Sequence, residues 1–415
     1  MQKLGVNTIR VYNLDPAIDH NECASLFNSV GIYMLLDVNS PLPNQSINRG
    51  DPSSSYDSDY LSRIFGVVEA FKDFPNTLGF FGGNEVINDD PSGEIVPPYL
   101  RAVTRDLKNY IAKHSTRSIP VGYSAADVRD ILTDTWEYLQ CAVNGDKNDM
   151  SRIDFFGLNS YSWCGPNANY QSSGYNVLQA DFANTTVPVF FSEYGCNKPA
   201  PRVFNEVQAL YSLPLTSVMS GGLVYEYSQE ISNFGLVALN DNSTVSLRSD
   251  FDQLQSQYNK LDIKTLQSGN STATSLTPPA CNSSLIGSST FYNKFDIPSI
   301  PPGGQDLINN GIKNPNNGKL VSITQKNVPM TVYSSNGAEI KGLAINPLPN
   351  DQSNTPGGQD TSGGATTSSS SGSTSTSATA AASTTAKKGA AGRTEVKDVM
   401  GLGLVFAGMI ALWIL

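Results

Sequence analysis

The chain has 415 residues, a formal net charge of −10 and 15% charged residues. That acidic balance, without clustered Lys and Arg, excludes an electrostatic nucleic-acid binder, because neutralising phosphates requires such clusters. Only two histidines are present, His20 and His114, which excludes most imidazole-based metal sites and triads.

In chain order, residues 1 to about 245 alternate short β-rich runs with helical stretches. The runs predict strands at 6–12, 33–38, 78–82, 119–123, 155–159, 187–192 and 222–227. Helix-like segments fall at about 16–30, 58–73, 97–113, 126–139, 174–182 and 202–219. Near-continuous apolar strands separated by helices imply an α/β fold with a parallel sheet covered on both faces. Seven strands in this length suit a (β/α)8 TIM-type barrel missing its first strand. An open doubly wound sheet is the alternative. It usually carries a Gly-rich turn after an early strand, where this chain reads Tyr12-Asn13-Leu14-Asp15-Pro16.

Residues 246–350 are rich in Ser, Asn, Pro and Gly, with β-like pieces at 320–324 and 328–333. They predict a small β-containing accessory segment packed on the barrel. Residues 351–388 are Ser/Thr-rich and lack the apolar surface to offset ordering entropy, which predicts a disordered, O-glycosylated stalk. Residues 389–415 read as a glycolipid-anchor signal: small residues from Gly389, the candidate attachment site, then a polar spacer and an uncharged apolar run to the end. A membrane-spanning anchor is the alternative, although the run falls short of the ~20 residues a spanning helix needs. Sequons at Asn44, Asn184, Asn242, Asn270 and Asn282 agree with passage through the secretory route to the cell surface. Yet no apolar leader follows Met1. With five cysteines, an odd number, this predicts that the natural chain starts further upstream and holds a partner cysteine there.

Catalytic groups of such barrels sit at the C-terminal ends of strands. Two of those ends carry a carboxylate beside aromatic and amide groups: Asn84-Glu85 and Ser192-Glu193-Tyr194. Glycoside cleavage needs two carboxyl groups flanking the bond, and the retaining form sets them about 5–5.5 Å apart. Asn84 fits a donor to the sugar 2-hydroxyl, and tyrosine rings can stack on pyranose faces. Glu226 is a competitor, but alternation along a strand points it away from the mouth if Tyr225 and Tyr227 face it.

The segments Leu4-Gly-Val-Asn-Thr-Ile-Arg-Val-Tyr-Asn, Gly-Asn-Glu-Val, Asn-Ser-Tyr-Ser-Trp-Cys, Phe-Ser-Glu-Tyr-Gly-Cys and Gly-Gly-Leu-Val-Tyr-Glu-Tyr-Ser together resemble the fungal β-1,3-glucanosyltransferases, glycoside hydrolase family 72. The resemblance covers roughly 1–345 and the anchor signal. It implies Glu85 as acid/base and Glu193 as nucleophile, with Tyr12, Asn84, Tyr161 and Tyr225 lining the donor site and Asp37 in the substrate cleft. It implies the disulfides Cys164–Cys196 and Cys141–Cys281, with Cys23 pairing upstream of Met1. Some members carry a cysteine-rich carbohydrate-binding module, which the single cysteine beyond residue 245 excludes here. The implied partners are β-1,3-glucan donor and acceptor chains, met by a monomer anchored to a membrane, with no metal or organic cofactor. Endo-β-1,3-glucanase activity and non-catalytic glucan binding are the rival expectations.

Overall fold

The computed structural model describes residues 1–268 and 276–357 and the backbone of residues 410–413. The expected stalk beyond residue 357, Gly389 and Asn270 lie outside the described residues.

Seven strands form the barrel: β1 (Thr8–Val11), β2 (Tyr33–Asp37), β3 (Thr77–Asn84), β4 (Val121–Ala126), β5 (Phe155–Asn159), β6 (Val189–Tyr194) and β7 (Met219–Val224). Each pairs in parallel with the next. The strand Ile410–Trp413 runs antiparallel to both β1 and β7 and closes the ring. Every residue of β1, β5 and β6 is buried, as a sheet covered on both faces requires.

Helices cover the outside: α1 (Asn21–Ser29), α2 (Ser58–Phe71), α3 (Pro97–His114), α4 (Arg129–Gln140), α5 (Tyr175–Asp181) and α6 (Glu206–Leu210). Asp57 caps α2 by accepting from the Tyr60 amide at 2.8 Å, which satisfies a donor the helix leaves open. The inner face of α2 then buries Leu61, Ile64 and Phe65 completely. Each such side chain contributes about 1.5–3 kcal/mol. Pro97 and Pro98 open α3, where a missing N–H does no harm. The helical stretch expected at 202–219 shortens to α6. Pro214 cannot continue a helix and biases Leu213 away from helical geometry.

After the barrel, β8 (Val237–Leu239), β9 (Val245–Leu247) and the distant β10 (Val332–Tyr333) form a small separate sheet. Helix α7 (Ser249–Tyr258) packs on α6 and on the first turn of the chain. Residues 276–357 run over the helical layer with little regular structure. Phe295 stacks on Tyr138 at 4.9 Å, and α8 (Gly304–Asn310) packs on α2 and α3. The Cys141–Cys281 disulfide ties this strap to the end of α4. Its far end is held by Asn354, which donates to the Val6 and Gln2 carbonyls at 2.8 and 3.1 Å. Of the β-like pieces, 328–333 supplies β10, whereas 320–324 forms no strand. That stretch is mostly exposed, with the Val321 amide on Ser25 Oγ.

Candidate active site

The barrel mouth is organised by Arg10. It lies in an apolar strand, and its side chain is wholly buried. Its Nε and Nη2 donate to the two oxygens of Asp37, both at 2.8 Å. Nη2 also donates to Asn84 Oδ1 at 2.9 Å, and Nη1 reaches Asn159 Oδ1 and Glu193 Oε1 at 3.4 Å. The guanidinium sits between the Tyr12 and Phe81 rings, 4.3 Å from each centroid. Burial works against its charge, but Asp37, with Tyr12 and Glu193 adding to it, more than restores it, so the pKa of Arg10 is raised. Asp37 absorbs that charge at short range, and Glu193 feels it only as a longer, weaker contact.

Asn159 is the second hub. Its Oδ1 accepts from Ser192 Oγ at 2.7 Å and Ser124 Oγ at 3.0 Å. Its Nδ2 donates to Glu85 Oε1 at 2.8 Å and Asn84 Oδ1 at 3.1 Å. Asn84 Oδ1 is therefore taken by two donors, and its amide nitrogen is the group left to meet a ligand. Gly157, two residues before Asn159, must be glycine. A Cβ there would lie 2.5 Å from Ser192 Oγ.

Local backbone irregularities bring the carboxylates inward. Plain strand alternation would send Ser192 and Glu193 to opposite faces. The β6–β7 register shifts between Phe191 and Tyr194, and Ser192 and Glu193 both bond to groups inside the barrel. The β3–β4 register shifts between Phe81 and Asn84, and Glu85 adopts φ 49°, a left-handed conformation rare outside glycine. Bulges of this kind re-aim side chains next to active sites.

Glu193 receives Tyr12 Oη–H on Oε1 at 2.7 Å and Tyr161 Oη–H on Oε2 at 2.6 Å. It is only 8% exposed, and burial raises its carboxyl pKa against the pull of Arg10 and the two hydroxyls. Burial also raises the tyrosine pKa values well above the ordinary range, so both remain donors. Tyr161 meets Tyr225 edge-on at 6.2 Å and Phe234 at 5.5 Å. The Cys164–Cys196 disulfide lies three residues beyond Tyr161 and three beyond Glu193, joining the two strand-end loops.

A cavity of about 810 Å³ opens at this mouth, lined by Tyr12, Asp37, Asn84, Glu85, Glu193 and Tyr225 together with the loop after β2. Tyr161 reaches Glu193 from outside that lining, and Asp37 spends its oxygens on Arg10. Glu226 has no exposed surface, while its neighbour Tyr225 lines the cavity. Sequence reasoning missed Arg10 and Asn159. The available signal was a cation inside an apolar, fully buried strand, where an unpaired charge is prohibitive. The loop at 39–49 reads as an ordinary polar turn, and no sequence signal marked it as a cavity wall. Among the described residues, no group of three His, Cys, Asp or Glu side chains is placed to hold a metal ion.

A parallel barrel with two glutamates converging at the C-terminal ends of its strands defines a glycoside-bond-processing enzyme of the TIM-barrel type. The chain belongs to the glucanosyltransferase family, glycoside hydrolase family 72, whose profile matches residues 1–262. It is 56% identical over 357 residues to 1,3-beta-glucanosyltransferase gel2 of Aspergillus fumigatus, covering 86% of this chain and 74% of that protein. It is 47% identical over 340 residues to the probable 1,3-beta-glucanosyltransferase GAS3 of Saccharomyces cerevisiae, covering 80% of this chain and 64% of that one. Among solved structures, Saccharomyces cerevisiae Gas2p in complex with laminaritetraose and laminaripentaose matches with a TM-score of 0.63 and 37% identity. That match covers 72% of this chain and 64% of the Gas2p chain, so the present chain spans less than two thirds of that protein.

Proposed function

We propose that the protein is a retaining β-1,3-glucanosyltransferase. One observation carries the reading: Glu85 and Glu193 line one cavity and are linked through only Asn159 and Arg10. Glu193 Oε1 and Oε2 are each oriented by a tyrosine hydroxyl, which suits an in-line nucleophile. Glu85 Oε1 is held by Asn159, and its second oxygen makes no hydrogen bond among the described residues, which suits a proton carrier.

Glu193 attacks the anomeric carbon of an internal glucose while Glu85 protonates the departing glycosidic oxygen. A glycosyl-enzyme ester forms and the leaving chain departs with its new hydroxyl. Glu85, now a carboxylate, removes the proton from an incoming sugar 3-hydroxyl, which displaces Glu193 and restores the β-linkage. Water entering instead gives hydrolysis. The Asn84 amide nitrogen is available to the 2-hydroxyl, a contact that strengthens as the oxocarbenium ion develops.

The same reading places the enzyme at the cell surface, glycolipid-anchored and N-glycosylated, acting as a monomer on wall glucan. No helix among the described residues is long and apolar enough to cross a membrane. Incubation with laminari-oligosaccharides tests the activity. Products longer than the substrate support transfer, shorter products alone support an endoglucanase, and turnover by Glu193→Gln equal to wild type would overturn the catalytic assignment.

A further inference from the structure

We propose that Asn44 carries an N-linked glycan rooted on the wall of the substrate cavity, and that this glycan limits the length of glucan chain the cavity accepts. The proposal rests on the glucan reading above.

Four sequon asparagines are described, Asn44, Asn184, Asn242 and Asn282, and all four are exposed. Two accept a hydrogen bond on Oδ1, which leaves Nδ2, the atom that bears a glycan, uncommitted. Asn242 Oδ1 accepts from Thr244 Oγ1 at 2.7 Å, and Asn282 Oδ1 accepts from the Ser284 amide at 3.0 Å. The Asn44 amide makes no hydrogen bond among the described residues. Among these four, Asn44 alone lines the cavity that holds Glu85 and Glu193, and the sequon serine, Ser46, lines it as well.

The local backbone presents Asn44 outward. The Gln45 amide donates to the Leu42 carbonyl at 3.1 Å, which closes a four-residue turn over Leu42-Pro43-Asn44-Gln45. Pro43 fixes the first central position, and Asn44 takes φ 61° at the second, the pattern of a type II turn. A second bond, from the Ser40 amide to the Gln45 carbonyl at 2.9 Å, pins the turn to the end of the loop nearest β2. Asn44 therefore projects from a turn tied by two backbone hydrogen bonds at the wall of the cavity.

The base of an N-linked glycan is a β-linked pair of glucose-type sugars. Its rings are the size of those in the glucan chain, with bulkier 2-substituents, and on this proposal it competes for the same space. On this proposal a short donor held against Glu85 and Glu193 stops short of the turn, and a long chain runs on along the loop at 39–49, most of whose residues line the same cavity.

The test begins with protein secreted from a fungal host, with glycopeptide mass spectrometry showing occupancy at Asn44. Ser46→Ala removes the sequon and keeps Asn44, whereas Asn44→Gln removes both. Both variants should lower KM for laminarin roughly three- to tenfold and leave KM for a short laminari-oligosaccharide unchanged. Asn184→Gln, away from the cavity, should change neither. A bare Asn44 in the wild-type protein overturns the proposal. So does an effect of Asn44→Gln that Ser46→Ala does not reproduce, which would assign it to the side chain. Unchanged laminarin KM in both variants overturns the length effect. Wild-type protein that turns over no laminari-oligosaccharide overturns the functional reading instead, and occupancy still judges the glycan site.

Discussion

Tyr161 donates its hydroxyl to Glu193 Oε2 at 2.6 Å, and the Cys164–Cys196 disulfide joins the two loops that leave those residues. The contact is thus held twice, by the barrel strands beneath it and by a covalent link above it. Tyr12 completes the arrangement from the end of β1, so Glu193 is oriented from two strands other than its own.

Tyr161→Phe removes one donor from a buried carboxylate and leaves the ring packed on Tyr225 and Phe234. Hydrogen bonds to charged groups contribute about 1.5–3 kcal/mol, so kcat should fall roughly 10- to 100-fold with little change in KM. Losing a donor to the charged form raises the Glu193 pKa further. The proposed mechanism needs Glu193 ionised, so the acid limb of the kcat/KM profile should move to higher pH. Steady-state kinetics from pH 4 to 8 check both effects, and an unmoved acid limb would count against Tyr161 as a partner of the nucleophile.

The Cys164–Cys196 link closes a loop with a sequence separation of 32. Replacing both cysteines with serine should destabilise the fold by roughly 2–4 kcal/mol through the freedom returned to the unfolded chain. It should also lower kcat, because Tyr161 and Glu193 lose their shared anchor. Urea denaturation and oligosaccharide turnover on the same preparation separate the two. A stability loss with full kcat would make the bridge purely structural.

Asp37→Asn tests the buried pair under Glu193. The substitution keeps the shape but leaves the Arg10 charge only its longer contact with Glu193, and breaking such a buried pair costs about 3–5 kcal/mol. The nearest remaining carboxylate is Glu193, already 3.4 Å from Nη1. Arg10 should turn toward it, making it a poorer nucleophile, so both the urea midpoint and kcat should fall. A variant as stable as wild type would contradict the role assigned to Asp37.

The sequence revealed the elements with strong local signals. The run at 155–159 emerges as β5 with the same bounds, and the helices at 58–73 and 97–113 fall within two residues of α2 and α3. That Glu85 and Glu193 share one cavity was legible because each is a charge placed where an apolar strand ends. The reading was weaker where the answer depended on non-local packing. Arg10 makes sense only once Asp37, Asn84 and Asn159, from three other strands, surround it. The inward turn of both Ser192 and Glu193 depends on a register shift that alternation forbids. The strap at 276–357 has no periodicity to read, because it is held by single anchors such as Asn354 and Phe295.

Glu206 provides a prediction independent of catalysis. It lies on α6, 4% exposed, and burial raises its carboxyl pKa from 4.5 to about 7. Arg202 pulls the other way, but Arg202 is itself committed to Asp250 at 2.7 Å and to the Tyr225 carbonyl. The other groups that feel Glu206 are the phenols of Tyr175, Tyr194 and Tyr258, which carry no charge at neutral pH. Between pH 4.5 and 7 the folded state holds this proton while the unfolded chain releases it. The folded state therefore loses stability as pH rises through that window, by up to about 3 kcal/mol from this group. Below 4.5 both states are protonated and the dependence vanishes. Glu206→Gln removes the titration, so its urea stability should exceed that of wild type increasingly from pH 4.5 to 7.5. Curves for the two proteins that stay parallel across that window would show that the folded protein releases the Glu206 proton as readily as the unfolded chain.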